Sequence, residues 1–267
     1  MKVFVMLAAV LAPTIGYGQA PIIAAAVNAA SFARDQPLSP GSSVSIFGTG
    51  LAASTATAST VPLLSSIAGV SVTFSGTTAP LQFVSPDQIN LQVPWSLEPG
   101  MTEIVATLNG SASAAFRAQV APVSPGIFTI PAGSRQAVAF HFSGNIAAPH
   151  GSIPGVPTYP AYVGYPLTIF ATGLGLVAPA STDGAASGDQ MRGTIAMPTV
   201  LINGSPAIVT FSGLSPEFVG VNQINIVVPE SAWQPSGAGG EVPIQIEFGG
   251  MRSSDNVTIT VLGKWDY

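Results

Sequence analysis

The chain contains no cysteine. That excludes disulfide staples, thiolate metal sites and cysteine nucleophiles together. Its 267 residues, 47% of them hydrophobic, must therefore hold together by packing alone. Charge is almost as scarce. Asp, Glu, Lys and Arg make up 7% of the residues, against about 25% in an ordinary soluble domain. The surface must be covered by Ser, Thr, Asn, Gln, Gly and Ala instead. With seven basic residues and a net charge of −5, there is no basic patch to neutralise phosphates, which argues against a nucleic-acid partner. No stretch beyond the N-terminal segment has a sustained 3.6-residue apolar period, and none is long and apolar enough to span a membrane.

What is present begins with an export segment. Lys2 is a minimal positive end, Val3 to Leu11 form an apolar run, and Gly16, Gly18 and Ala20 supply small residues for cleavage. Pro13 and the early glycines make this run too short for a membrane anchor. Residues 1–20 are therefore expected to be a signal peptide, with cleavage after Gly18 or Ala20, and the product to be secreted or displayed on a bacterial surface.

The remainder repeats itself. Ser45-Ile46-Phe47-Gly48-Thr49-Gly50-Leu51 recurs as Thr168-Ile169-Phe170-Ala171-Thr172-Gly173-Leu174, and Gln88-Ile89-Asn90-Leu91-Gln92-Val93-Pro94 as Gln223-Ile224-Asn225-Ile226-Val227-Val228-Pro229. Each pair keeps five of seven residues, in the same order, and Gly76 answers Gly204 between them. Two motifs kept in order point to duplication. The gap between motifs is twelve residues longer in the second copy, an excess placed in the small-residue loop 175–193.

Each copy reads as β-structure. Ile89, Leu91 and Val93 alternate with polar residues, as do Ile224, Ile226 and Val228, the period of a strand with one buried face. Pro94 and Pro229 end those strands. Asn109-Gly110 and Asn203-Gly204 supply the positive φ angles of tight hairpins, and Gly249-Gly250 is a similar signal. The fold class expected is all-β: two immunoglobulin-like β-sandwich repeats in tandem after the signal peptide, over residues 21–122 and 123–267. Ile46, Phe47, Ile89 and Leu91 should be buried where Ile169, Phe170, Ile224 and Ile226 are buried.

Several of these runs carry a family resemblance. Val27-Asn28-Ala29-Ala30-Ser31-Phe32, Pro40-Gly41-Ser42 with the first motif, Val93-Pro94-Trp95 and Pro125-Gly126-Ile127-Phe128 resemble an uncharacterised C-terminal domain family first described from Solibacter. Phe211-Ser212-Gly213-Leu214 continues the likeness in the second half. Each half is also similar to a TIG-type immunoglobulin-like module. The resemblance implies architecture and export, and transfers no catalytic residue.

The residues that carry chemistry are few. Gly48-Thr49-Gly50 and Gly173-Leu174-Gly175 lack the following helix and lysine of a phosphate loop, and read as strand-ending turns. Gln88, Asn90, Gln223 and Asn225 are retained in both copies and are expected to satisfy backbone groups of a neighbouring loop. His141 lies in a strand-like run and His150 in a Pro/Gly-rich loop, with no nucleophile elbow or acidic neighbour. No catalytic residue, cofactor site or metal site is expected, and no enzymatic activity. Asp183-Gly184 and Asp189 in loop 175–193 match no calcium-loop pattern. The aromatics stand out more. Tyr159, Tyr162 and Tyr165 crowd the entry to the second copy, and Trp95 and Trp233 follow the two Val-Pro strand ends. These five are the candidate ligand-binding residues, for stacking on a glycan or anchoring an extracellular protein. Packing of the tyrosines between the two repeats is the competing expectation. The functional expectation is a non-catalytic structural or adhesion module, with a carbohydrate-binding module as its alternative.

Overall fold

The expected strands form in the computed structural model of the protein, which describes residues 19–233, 240–254 and 256–263. Residues 1–18, most of the export segment, lie outside the described residues. The architecture is all-β, and the sole helical element among the described residues is one 3-10 turn at Glu230–Ala232. The first sandwich opens with an antiparallel sheet ordered Ile22–Asn28, Ser43–Thr49, Gln88–Gln92, Leu81–Val84, Ala56–Thr57. It packs on a sheet centred on Val70–Phe74 and Gly100–Leu108, with Phe116–Val120 beside the latter.

The second sandwich repeats the plan. Pro166–Thr172 pairs with Asn222–Val227, which pairs with Ile208–Leu214. The facing sheet runs Ala161–Tyr162, Thr258–Leu262, Gly240–Phe248, Thr199–Ile202. Gly100–Leu108 and Gly240–Phe248 follow one alternation, so Thr102, Ile104 and Ala106 point inward where Val242, Ile244 and Ile246 do. Each sandwich has its own core. Ile46, Val72, Phe74, Ile89 and Ile104 belong to the first, and Ile169, Ile202, Ile224, Ile244 and Ile259 to the second. Hairpin chemistry is as read: Asn109-Gly110, Asn203-Gly204 and Gly249-Gly250 all have positive φ, and Gly50 and Gly173 close their strands the same way.

Two expectations are corrected. Phe47 and Phe170 are not core residues. Ile46 pairs with Ile89 and points inward, so its neighbour Phe47, paired with Gln88, must face outward. Phe170 opposite Gln223 does likewise, and both rings are half-buried on the outer face of their sheets. The twelve extra residues also do not all fall in loop 175–193. Twenty-five positions separate Leu51 from Gly76 and thirty separate Leu174 from Gly204, whereas twelve separate Gly76 from Gln88 and nineteen separate Gly204 from Gln223. The surplus is split, and its larger part lengthens the strand Ile208–Leu214 and the turn after it.

The two sandwiches meet head to tail. The start of strand Ser43–Thr49 in the first repeat abuts the end of strand Pro166–Thr172 in the second. Thr172 Oγ1 accepts from the Ser43 N–H at 2.8 Å and donates to the Gly220 carbonyl at 2.6 Å, while Ser43 Oγ donates to that carbonyl at 3.1 Å. Asn28 Nδ2 donates to the Ser124 carbonyl at 2.9 Å. Gly220 sits at φ +72°, and a Cβ there would lie 2.6 Å from Ser43 Oγ, so the approach requires glycine. A second contact comes from the loop 175–193, which folds back onto the first repeat. Gly184 N–H donates to Gln92 Oε1 at 2.7 Å, the Leu63 N–H donates to the Gly184 carbonyl at 2.8 Å, and the Trp95 N–H donates to Asp183 Oδ1 at 2.8 Å. Gly184 is again a close approach at φ +76°, with a Cβ placed 2.6 Å from the Leu63 carbonyl oxygen.

Candidate functional site

The five nominated aromatics do not form one site. Trp95 is half-buried beside the junction, its ring packed over Gly41. The tyrosines lie at the opposite end of the second sandwich. Tyr165 precedes Pro166, seven strand residues or about 20 Å from the Thr172 that meets the first repeat. The expectation that they pack between the repeats is therefore corrected: they cap the free pole of the second repeat. Trp233 is at that end too, over Gly263, next to the Leu262 that pairs with Tyr162.

At this pole the rings close on one another. Tyr159 meets Tyr162 at 6.0 Å between centroids, Tyr162 meets Tyr165 at 6.1 Å, and Tyr165 stacks on Phe142 at 5.3 Å. His141 completes the circuit, 5.5 Å from Phe142 and 6.3 Å from Tyr159. The tilts of 34° and 64° within the tyrosine series are those of packed rings rather than a coplanar platform for a sugar. Tyr162 is 8% exposed while Phe142 is 56% exposed, so the cluster seals the core and shows an aromatic edge to solvent. Burial, with the hydrogen bond that the Tyr162 hydroxyl donates to Tyr159, pushes the Tyr162 phenol up to about 12.

Both histidines lie beside Tyr159. His141 is a buried strand residue whose Nδ1 lies 3.1 Å from Ser143 Oγ, and Ser143 Oγ in turn accepts from Asn145 Nδ2 at 2.9 Å. Burial lowers its pKa and keeps the ring neutral. Among the described residues its ring bonds to Ser143 and to no carboxylate. His150 is exposed, its ring 5.8 Å from Tyr159. The acidic residues of loop 175–193 are occupied. Asp189 holds Arg192 in a two-pronged pair at 2.6 and 3.0 Å, which pulls its carboxyl down to about 2. Asp183 caps Trp95. Among the described residues no group of three or more His, Cys, Asp or Glu could hold a metal ion. Among them too, no helix is long and apolar enough to cross a membrane.

The duplicated amides behave differently from expectation. They bond to side chains of their own sheet, not to a loop backbone. Asn90 Oδ1 accepts from Gln88 Nε2 at 2.7 Å and from Ser45 Oγ at 3.0 Å. Asn225 Oδ1 accepts from Gln223 Nε2 at 2.9 Å and from Thr168 Oγ1 at 3.1 Å. In the second repeat Gln223 and Asn225 floor an open groove of about 520 Å³ on the outer sheet face. The motif alternation already put these residues opposite Ile89 and Ile224, on the outward side. The wall of the groove had no sequence signal.

No family model matches the chain, and no curated protein matches it. Solved structures resemble it only loosely. The Bacteroides ovatus protein SGBP-B of a mixed-linkage glucan utilization locus, solved with a mixed-linkage heptasaccharide, shares 15% identity at a TM-score of 0.34, with 85% of this chain and 42% of that one covered. Domains 5–6 of the S-layer protein SbsC share 11% identity at a TM-score of 0.28, covering 92% of this chain and all of that fragment. The plexin A4 extracellular region matches at 10% identity and a TM-score of 0.26, and this chain spans 18% of its length. These likenesses carry no functional argument, and the fold class rests on the strands and cores themselves.

Proposed function

We propose that this protein is a non-catalytic extracellular structural module, a rigid two-sandwich spacer that presents its free poles to a protein or glycan partner. The observation that carries this reading is where the polar residues of the first repeat are spent. Ser43 and Gln92, paired in one sheet, both bond across the junction. Their equivalents in the second repeat, paired in the same register, are Pro166 and Val227. Proline has no N–H to donate and valine no amide to accept. The second repeat therefore cannot make the same pair of contacts at its own Pro166–Val227 end.

Export supports the extracellular setting: Lys2, the apolar run and the small residues at 16–20 read as a signal segment, and a cysteine-free, sparsely charged chain suits a secreted spacer. The Solibacter-type family is proposed on the sequence motifs alone. Calorimetry tests the spacer reading. If the repeats are coupled, Gly184→Val should split or lower the unfolding transition by several degrees, through loss of the clasp on Gln92 and Leu63. Two independent transitions in the wild type, unmoved by Gly184→Val, would contradict it.

A further inference from the structure

Five outward-facing positions are matched between the repeats. Phe47, Ser45, Gln88, Asn90 and Phe83 correspond to Phe170, Thr168, Gln223, Asn225 and Phe211, in the same strand register. Packing in the core does not explain why they are kept, because none of the ten points into a core. Outward positions of a sheet ordinarily exchange residues within a few tenths of a kcal/mol. Phe47 packs on Phe32 and Phe170 on Phe140 and Phe218, and Ser45 is buried, which leaves the two half-buried amides as the retained groups open to a ligand.

In each copy the asparagine oxygen takes two internal donors. The asparagine Nδ2 and the glutamine Oε1 are left with no partner among the described residues. The network therefore fixes one outward donor and one outward acceptor, side by side. In the second repeat a wall rises beside them, carrying Gln190 and Met191. Arg192 pins that wall, with its side chain 9% exposed and bonded to Asp189, Ser187 Oγ and the Ala180 carbonyl. Phe211 lies across Gly213, where a Cβ would meet its ring at 2.6 Å, so the ring is held over the sheet. Thr210 adds a hydroxyl, and Met191 is 75% exposed on the rim.

We infer that this groove binds a neutral oligosaccharide. Its lining has no charged side chain. An anion or cation would lose its hydration there without a counter-charge. A purely apolar ligand would bury the free amide groups of Gln223 and Asn225 unpaired, which is costly. A sugar offers hydroxyls that both accept and donate, and a C–H face for Phe211 and Met191. The volume, about 520 Å³, is that of an ordinary small-ligand site. A strand-adding peptide does not fit a sheet face, whose backbone groups are already paired. The first repeat keeps the floor residues Gln88 and Asn90. This site is separate from the tyrosine pole and from the junction, so it stands or falls apart from the spacer role.

The test is amide NMR of the isotope-labelled protein with four neutral hexasaccharides, of β-1,4-glucose, β-1,4-mannose, β-1,4-xylose and α-1,4-glucose, and with tetragalacturonate as the acidic control. At least one neutral probe should shift the side-chain amide signals of Asn225 and Gln223 at or below about 10 mM, and tetragalacturonate should not. The double variant Gln223→Ala/Asn225→Ala should weaken that binding about tenfold or more. Should it fail to fold, Gln190→Ala and Met191→Ser on the exposed rim carry the same test. Silence with all four neutral probes overturns the inference. So does binding that survives the floor and rim substitutions, or equal binding of the uronate.

Discussion

Gly184 N–H donates to Gln92 Oε1 across 2.7 Å, and those two residues belong to different repeats. Gln92 occupies a motif position where the second copy has Val227. One amide thus marks the repeat that is clasped through Gly184. The loop bearing Gly184 does two jobs: its Asp183-Gly184 end clasps the first repeat, and its Gln190-Met191 end walls the outer-face groove.

The register fixes which phenylalanine matters for stability. Phe74 is fully buried, whereas Phe47 lies on the outer face. Phe74→Ala should cost about 3–5 kcal/mol through lost burial and a cavity, and Phe47→Ala about 1 kcal/mol. Urea unfolding of the two variants checks this, and equal losses would refute the assignment of faces.

His141 should make the protein acid-sensitive. Burial lowers its pKa from the usual 6.5, so the unfolded state takes up the proton first. The stability this contributes is present above pH 6.5 and is lost as pH falls below that value. Wild type should lose stability between about pH 7.5 and about pH 5.5, and His141→Phe should lose less over the same interval. His150→Ala, on an exposed loop, should change stability by no more than about 0.5 kcal/mol.

Tyr162 should act at the other end of the scale. Its phenol is raised from 10.0 to about 12, so its contribution is intact below pH 10 and disappears as pH rises toward 12. Phenolate absorbance should show a late-titrating group in the folded protein, and Tyr162→Phe should remove that phase.

Export predicts a shortened product. The exported protein should weigh less than the full chain by about the first 18–20 residues. Recovery of an intact chain from the cell interior alone would count against the extracellular reading.

Much of this was legible in the residues. Alternation in Ile89-Asn90-Leu91 and the Asn-Gly pairs carried the strands and hairpins, because both signals are local. The facing of Phe47 was not, since Ile46 and Phe47 are both apolar and either could turn inward. The partner strand held the answer, because Phe47 pairs with the polar Gln88 and Ile46 with Ile89. The junction was hidden for another reason. Ser43 finds Thr172 and Gly220 at separations of 129 and 177 residues, beyond any local pattern. The tyrosines were visible as a cluster, but their pole depended on which way the repeats stack.

Residual dipolar couplings of backbone amides in both repeats, measured in one alignment medium, address the rigid head-to-tail pairing most directly. With the Ser43–Thr172–Gly220 contacts and the Gly184 clasp formed, both repeats should fit one common alignment tensor, and Gln92→Ala should begin to separate them. Tensors of different magnitude for the two repeats in the wild type would mean that they tumble independently, and the spacer reading would fail.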